Sequence, residues 1–219
     1  MLSKNWNKIY QKNQQLSVWP WSEIVSKVFS YTKNQKKLNV LEIGCGAGAN
    51  INFFLGLKSN YYGVDGSQHI IQKLKKKFPN IKNRLKVSDF TESLPFKIKF
   101  DLIIDRGSMT HNSTASITNG MKILQKFLKK KGLYIGTDWF SSKDHFSKKG
   151  EKIDDNYTRI KVPHPSYINV GKIHFSTQNH LKEIFRKWQI LELSEKITQV
   201  RIPNKKIRRA YWIIVAKNK

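Results

Sequence analysis

From about residue 38 the chain alternates short apolar runs with longer segments whose apolar residues recur every three or four positions. The short runs at Asn39–Ile43, Tyr61–Asp65, Arg84–Ser88, Asp101–Asp105 and Leu133–Asp138 predict strands. Their near-continuous apolarity is what a sheet covered on both faces requires. Between them, Ile70, Ile71, Leu74 and Phe78 share one helical face, which Pro79-Asn80 stops. Ile117, Met121, Leu124 and Leu128 form a second stripe, with Gly132 placed to close that helix in a left-handed turn. A third stripe, Leu181, Ile184, Phe185 and Trp188, follows Ser176 and Thr177, either of which can cap it. The alternation predicts an α/β fold: a mostly parallel sheet with helices on both faces.

The two ends break this rhythm. Gln189–Leu193 and Ala210–Val215 are strand-like with no helical pattern between them, so they read as an antiparallel pair added to the sheet. Residues 1–35 read as one or two helices interrupted by Trp19-Pro20-Trp21. The irregular stretch from about Phe140 to Phe175 has the length of a functional cover. The expected organisation is one domain over residues 1–219. It comprises a helical extension (1–35), a core (38–138), a cover (139–176) and a C-terminal helix with antiparallel strands (177–219).

Composition narrows the setting. The 219 residues are 39% hydrophobic and 12% aromatic, which suits a globular chain with one sizeable core. No apolar run approaches the ~18 residues of a membrane span, and the Met1–Trp6 segment lacks the apolar stretch of a secretory signal. The single cysteine, Cys45, allows no internal disulfide, and a cytoplasmic location is expected. The formal net charge of +26 raises nucleic acid as a partner. Lysine far outnumbers the forked arginine that phosphate and base recognition favour, however. Many lysines, such as Lys73, Lys75, Lys76 and Lys77, fall on a polar helix face. A solvated basic surface is the favoured reading and nucleic acid the alternative.

The chemistry begins at Val40-Leu41-Glu42-Ile43-Gly44-Cys45-Gly46-Ala47-Gly48-Ala49, where a strand ending in an acid runs into a glycine-rich turn. Such a turn lets backbone approach a ligand closely, and its spacing also satisfies the loose dinucleotide pattern. Glu42 discriminates, because a carboxylate there repels a pyrophosphate and attracts a ligand bearing ammonium and sulfonium charges. Asp65, followed by Gly66-Ser67, is placed to take both hydroxyls of a ribose. Asp89 can accept from an adenine amino group, with Phe90 packed beside it, and Asp105 ends the fourth strand. All four acids fall at carboxyl ends of predicted parallel strands, where open α/β sheets bind ligands.

The order Leu41-Glu42-Ile43-Gly44-Cys45-Gly46-Ala47-Gly48, Gly63-Val64-Asp65, Ser88-Asp89-Phe90, Phe100–Asp105 and Lys131-Gly132-Leu133 resembles the class I S-adenosylmethionine-dependent methyltransferases. The resemblance spans roughly residues 38–215. It implies a Rossmann-like, seven-stranded, mostly parallel sheet with antiparallel final strands, and S-adenosylmethionine as cofactor. Glu42, Gly44, Cys45 and Gly46 would lie near its methionine part, Asp65, Gly66 and Ser67 at the ribose, and Asp89 and Phe90 at the adenine. Asp105 completes the expected set.

For the acceptor, the fourth strand is followed by Asp105-Arg106-Gly107-Ser108-Met109-Thr110-His111 rather than the Pro-Pro-aromatic motif of amino-methylating DNA enzymes. His111 is the expected general base for a hydroxyl, titrating near its ordinary value. Asp138 is expected to orient that base or hold the acceptor, and Arg106 to steady a carboxylate or phosphate. Trp19 and Trp21 suit stacking on a ring or, equally, anchoring the N-terminal helices. No histidine–acid cluster has metal-ligand spacing, and no G-x-S-x-G occurs. Ser17–Ser22, Asp105–Asn112 and Asp138–Ser141 are similar to segments of small bacterial methyltransferases of surface-glycan biosynthesis, which implies a sugar or sugar-nucleotide hydroxyl as acceptor. An RNA methyltransferase and a basic binding module without catalysis are the alternatives.

Overall fold

The computed structural model describes residues 4–32, 37–167, 169–203 and 206–219. Residues 1–3 and 33–35 of the predicted N-terminal extension lie outside them. Two helices, α1 (Lys4–Gln11) and α2 (Ser22–Tyr31), precede the alternation β1 (Asn39–Ile43), α3 (Ile51–Gly56), β2 (Asn60–Asp65), α4 (Gln68–Lys77), β3 (Leu85–Val87), β4 (Phe100–Arg106), α5 (Thr114–Phe127) and β5 (Leu128–Phe140). Short strands β6 (Glu151–Lys152), β7 (Thr158–Ile160) and β8 (Ile173–His174) follow, then α6 (Gln178–Ile184), β9 (Gln189–Gln199) and β10 (Arg208–Lys217).

Seven strands form one sheet in the order β3-β2-β1-β4-β5-β10-β9. The first five run parallel, while β10 is antiparallel to β5 and β9 to β10. Order reverses between β1 and β4, which opens a crevice at the carboxyl ends of the strands. One face packs Leu41, Ile103 and Trp139 against the α5 and α6 stripes, among them Ile117, Leu124, Leu181 and Phe185. The other face packs Val40, Leu102 and Ile104 against Ile24 of α2, Ile51 and Phe54 of α3 and Leu74 of α4. Ser67 caps α4 by accepting from the Ile70 amide, and Thr177 rather than Ser176 caps α6 by accepting from that of His180.

Gly132 does not close α5. That helix ends at Phe127, Leu128 is already extended, and Gly132 lies inside β5. Pairing with β4 jumps from Phe100↔Leu128 to Leu102↔Leu133, so the extra residues bulge. The left-handed turn falls on Lys131 (φ 63°). A second bulge lies between β5 and β10, where Ile214↔Gly136 is followed by Trp212↔Trp139. There Asp138 takes a φ of 54°, and the re-aimed backbone turns its side chain toward the crevice.

The cover is ordered by its own apolar cluster, in which Phe146, Val162, Tyr167, Val170, Ile173 and Phe175 pack with Phe140 of β5 and Ile9 of α1. Strands β6, β7 and β8 form a separate three-stranded sheet within it. Asp155 accepts from the Thr114 amide at 2.7 Å, at the start of α5. His174 of β8 meets His180 of α6, Nε2 to Nε2 at 3.0 Å. These contacts tie the cover to both helices that flank one face of the sheet.

Candidate functional site

A cavity of about 350 Å³ lies at the crevice, between the strand ends, α1 and the cover. Its floor is the turn after β1, where Gly44, Gly46 and Gly48 all have positive φ. A Cβ on Gly44 would stand 1.9 Å from Ser108 Oγ, because the turn after β4 packs directly on the turn after β1, with Ser108 Oγ donating to the Ile43 carbonyl at 3.1 Å. Gly44→Ala is therefore expected to lower the melting temperature and abolish cofactor binding, adding this clash to the ~1–2 kcal/mol of a left-handed alanine. Gly56→Ala, with nothing within 4 Å of the new Cβ, should leave stability unchanged or raise it by up to about 1 kcal/mol. Thermal melts with and without S-adenosylhomocysteine check both.

Three of the four strand-end acids reach the cavity. Glu42 is buried and accepts from Asn50 Nδ2 at 2.7 Å and Tyr61 Oη at 2.5 Å. Burial pushes its carboxyl up to about 7 against the lowering effect of those two bonds. Asp65 accepts from the Ser67 amide at 2.8 Å and the Gly46 amide at 3.0 Å, so it also fixes the glycine turn. Burial pushes it up to about 6. Each of its oxygens keeps a second lone pair for a ligand hydroxyl. Asp89 and Phe90 line the cavity farther along, with Asp89 Oδ1 accepting from both the amide and the hydroxyl of Thr91.

Asp105 does not line the cavity, nor does Ser67. Asp105 is fully buried, and its Oδ2 accepts from Tyr134 Oη at 2.9 Å and Trp139 Nε1 at 2.8 Å. Its Oδ1 accepts from the Ser108 amide at 2.7 Å, so its work is to hold the turn that carries the acceptor-side residues. Ser67 spends its hydroxyl on the α4 cap and on Asn7 Oδ1. Gly44, Cys45, Gly46 and Gly66 do line the cavity.

The acceptor side gathers Arg106, His111 and Asp138 at the same cavity. Asp138 does not orient His111. It pairs with Arg106 instead, Oδ2 to Nε at 2.6 Å. The guanidinium of Arg106 also lies 3.7 Å from the centroid of the Trp21 ring. His111 is oriented by a backbone carbonyl, that of Lys172, 3.0 Å from Nδ1. Because a carbonyl only accepts, Nδ1 carries the hydrogen and Nε2 keeps its lone pair. The rings of Trp6 and Phe140 meet His111 edge-on. Burial, reinforced by the charge of Arg106 and opposed by the Lys172 carbonyl, holds this imidazole down at about 4 rather than near 6.5. Trp21 lines the cavity, whereas Trp19 is outside it and 81% exposed.

Sequence reasoning missed several of the walls. Trp6 and Tyr10 of α1 close the cavity above the glycine turn, and Phe140, Tyr167, Arg209 and Tyr211 wall its acceptor side. The N-terminal helix thus covers the cofactor half and the cover segment the acceptor half.

The residues fit S-adenosylmethionine by their own chemistry. Three carboxylates and a glycine cradle suit a cationic ligand with a ribose diol, and would repel a pyrophosphate. The sheet order is that of the Rossmann-like fold of S-adenosylmethionine-dependent methyltransferases, and this cup suits their cofactor. A family model described as "Methyltransferase domain" matches residues 40–132, so the chain carries such a domain. O-methyltransferase 3 of Dictyostelium discoideum is 30% identical over 188 residues, covering 78% of this chain. The chain in turn spans 40% of the length of that curated relative. An S-adenosylmethionine-dependent methyltransferase of Methanosarcina mazei superposes with a TM-score of 0.69 at 15% identity, over 88% of this chain and 96% of that one. TehB of Haemophilus influenzae gives 0.64 at 15% identity, over 97% and 67%. One from Clostridium acetobutylicum gives 0.63 at 18%, over 97% and 95%. These likenesses are of fold. Among the described residues no helix is long and apolar enough to cross a membrane.

Proposed function

We propose that this protein O-methylates a small molecule, a sugar or sugar-nucleotide hydroxyl, in the cytoplasm, and that His111 takes the hydroxyl proton. The observation that carries this reading is the neutral, Nδ1-anchored imidazole of His111 in the same cavity as the glycine turn. Bound in the cup, S-adenosylmethionine supplies an electrophilic methyl on a sulfonium. Glu42 faces its positive charge, Asp65 takes the ribose hydroxyls, and Asp89 with Phe90 takes the adenine. Trp6, Tyr10 and the cover exclude water, so that an ordered hydroxyl rather than solvent meets the methyl. Nε2 of His111 accepts the proton as the oxygen becomes a nucleophile. The similarity to a protein named O-methyltransferase 3 supports oxygen as the methylated atom. The aromatic lining of the acceptor half supports a ring as its carrier, since Phe140, Tyr167 and Tyr211 offer flat apolar faces. Residues 1–219 act together in this reading as one domain. A screen of sugars and nucleotide sugars for acceptor-dependent release of S-adenosylhomocysteine tests it. Release with amines or RNA alone would overturn it.

Cofactor binding should depend on pH through Glu42. Its carboxyl, raised to about 7 by burial, must ionise to face a cation, so a bound cation pulls it down and binding releases a proton. Affinity for S-adenosylmethionine, measured without an acceptor, should therefore rise as pH goes from about 6 to 8 and then level off. Glu42→Gln should flatten that rise while keeping any titration of the ligand itself. Calorimetry in two buffers of different ionisation heat reads the released proton directly.

A further inference from the structure

Two arginines reach the acceptor half of the cavity, and each is held in the same way. Arg106, at the end of β4, is ion-paired through Nε with Asp138 Oδ2 at 2.6 Å and lies against the Trp21 ring. Arg209, on β10, gives Nε to Asp144 at 2.8 Å and lies against two rings, 4.9 Å from the centroid of Tyr167 and 5.4 Å from that of Tyr211. Arg209 also donates from Nη2 to the Tyr167 hydroxyl. Asp144 is buried and already accepts from the Phe146 and Ala210 amides, so it is a fixed anchor. In both cases the carboxylate takes the Nε edge of the guanidinium and the aromatic ring takes a face. Among the described residues, no partner meets Nη1 of Arg209 or either Nη of Arg106. The negative charge in this half is spent on the anchors, while Nη1 of Arg209 and both Nη atoms of Arg106 keep hydrogens to donate. Arg106, Arg209 and Tyr211 all line the same cavity.

A guanidinium immobilised on one edge and one face has lost most of the rotamer freedom that an ion pair otherwise costs. That is how a protein prepares bidentate recognition of an oxyanion. A neutral sugar alone needs no such device.

We propose that the acceptor carries an oxyanion, a carboxylate or a phosphate, which Arg209 grips with help from Arg106. The acceptor class is thus an acidic or phosphorylated sugar, with Arg209 setting the specificity. This inference rests on the methyl-transfer reading above. The anion ties the acceptor at the β10 side of the cavity while Phe140, Tyr167 and Tyr211 wall its ring. Arg209 takes no part in moving the proton.

The test uses the full-length protein saturated with S-adenosylhomocysteine and titrated calorimetrically with glucose, glucuronate and glucose 1-phosphate. At least one of the two anionic sugars should bind about tenfold or more tightly than glucose, as a charged hydrogen bond is worth. The carboxylate and phosphate arms identify which oxyanion the site takes. Arg209→Gln should erase that preference. Arg209→Lys, which keeps a counter-charge for buried Asp144, should retain part of it, having the charge without the fork. Both variants should bind S-adenosylhomocysteine as the parent does, which shows the cup and fold intact. Equal binding of the three sugars, no binding of any, or a preference that survives Arg209→Gln would overturn the proposal and leave methyl transfer standing. Failure of the parent protein to bind S-adenosylhomocysteine would overturn both.

Discussion

Replacing His111 by alanine should lower turnover by about 10²–10⁴-fold, the usual contribution of a general base. Affinity for S-adenosylhomocysteine should stay near the parent value. The imidazole stands on the acceptor side of the cavity, its Nδ1 donating to the Lys172 carbonyl, and the cofactor-side carboxylates do not touch it. The pH profile carries the sharper signature. Burial holds His111 down at about 4, so the base is already neutral throughout the physiological range. The acidic limb of the rate should fall near pH 4, not near the 6.5 of a solvated histidine. Initial rates at saturating cofactor with a working acceptor, measured from about pH 3 to 8 for parent and variant, check this, since saturation removes the Glu42 dependence of cofactor affinity. A limb near 6.5 that disappears with His111→Ala would mean a solvated base. A limb unaffected by the substitution would move proton removal elsewhere. Asp138 is the weaker substitute, since its Oδ2 is already committed to Arg106.

Asp65→Ala should weaken S-adenosylhomocysteine binding by about one to two orders of magnitude, the worth of a charge-assisted acceptor at roughly 1.5–3 kcal/mol. Two effects combine, because the same carboxylate ties the Gly46 amide and meets the ribose. Asp65→Asn separates them: its amide oxygen can still accept from one backbone amide, but the charge at the ribose is gone. Calorimetry should place Asp65→Asn between parent and Asp65→Ala, with turnover at saturating cofactor little changed in both. An Asp65→Ala protein that binds as the parent does would remove Asp65 from the cofactor site.

Much of the fold was legible because the period of the apolar pattern is a local property. Strand β1 begins and ends where its apolar run does, and spacing located α6 and narrowed its cap to Ser176 or Thr177, of which Thr177 serves. What failed was non-local. Gly132 has the sequence position of a helix stop, yet it lies within β5, where pairing with β4 resumes at Leu133, two residues beyond a left-handed Lys131. Asp105 ends its strand just as Asp65 does. Only the fold shows that Tyr134 and Trp139 of the neighbouring strand surround it and withdraw it from the cavity. The orienting partner of His111 is a backbone carbonyl, which no residue type can announce. Arg209 was invisible for a related reason. It sits more than a hundred residues from Arg106, and only the antiparallel placement of β10 against β5 brings it to the cavity wall. The low titration of His111 comes from burial between Trp6 and Phe140, one from α1 and the other from β5.

The central claim is that the cup after β1 is built for S-adenosylmethionine. Calorimetric titration of the protein with S-adenosylhomocysteine and, separately, with NAD tests it most directly. Saturable one-to-one binding of S-adenosylhomocysteine, weakened by Asp65→Ala, is expected, with no measurable heat from NAD, whose pyrophosphate would face Glu42. Tight NAD binding with no response to S-adenosylhomocysteine would contradict it.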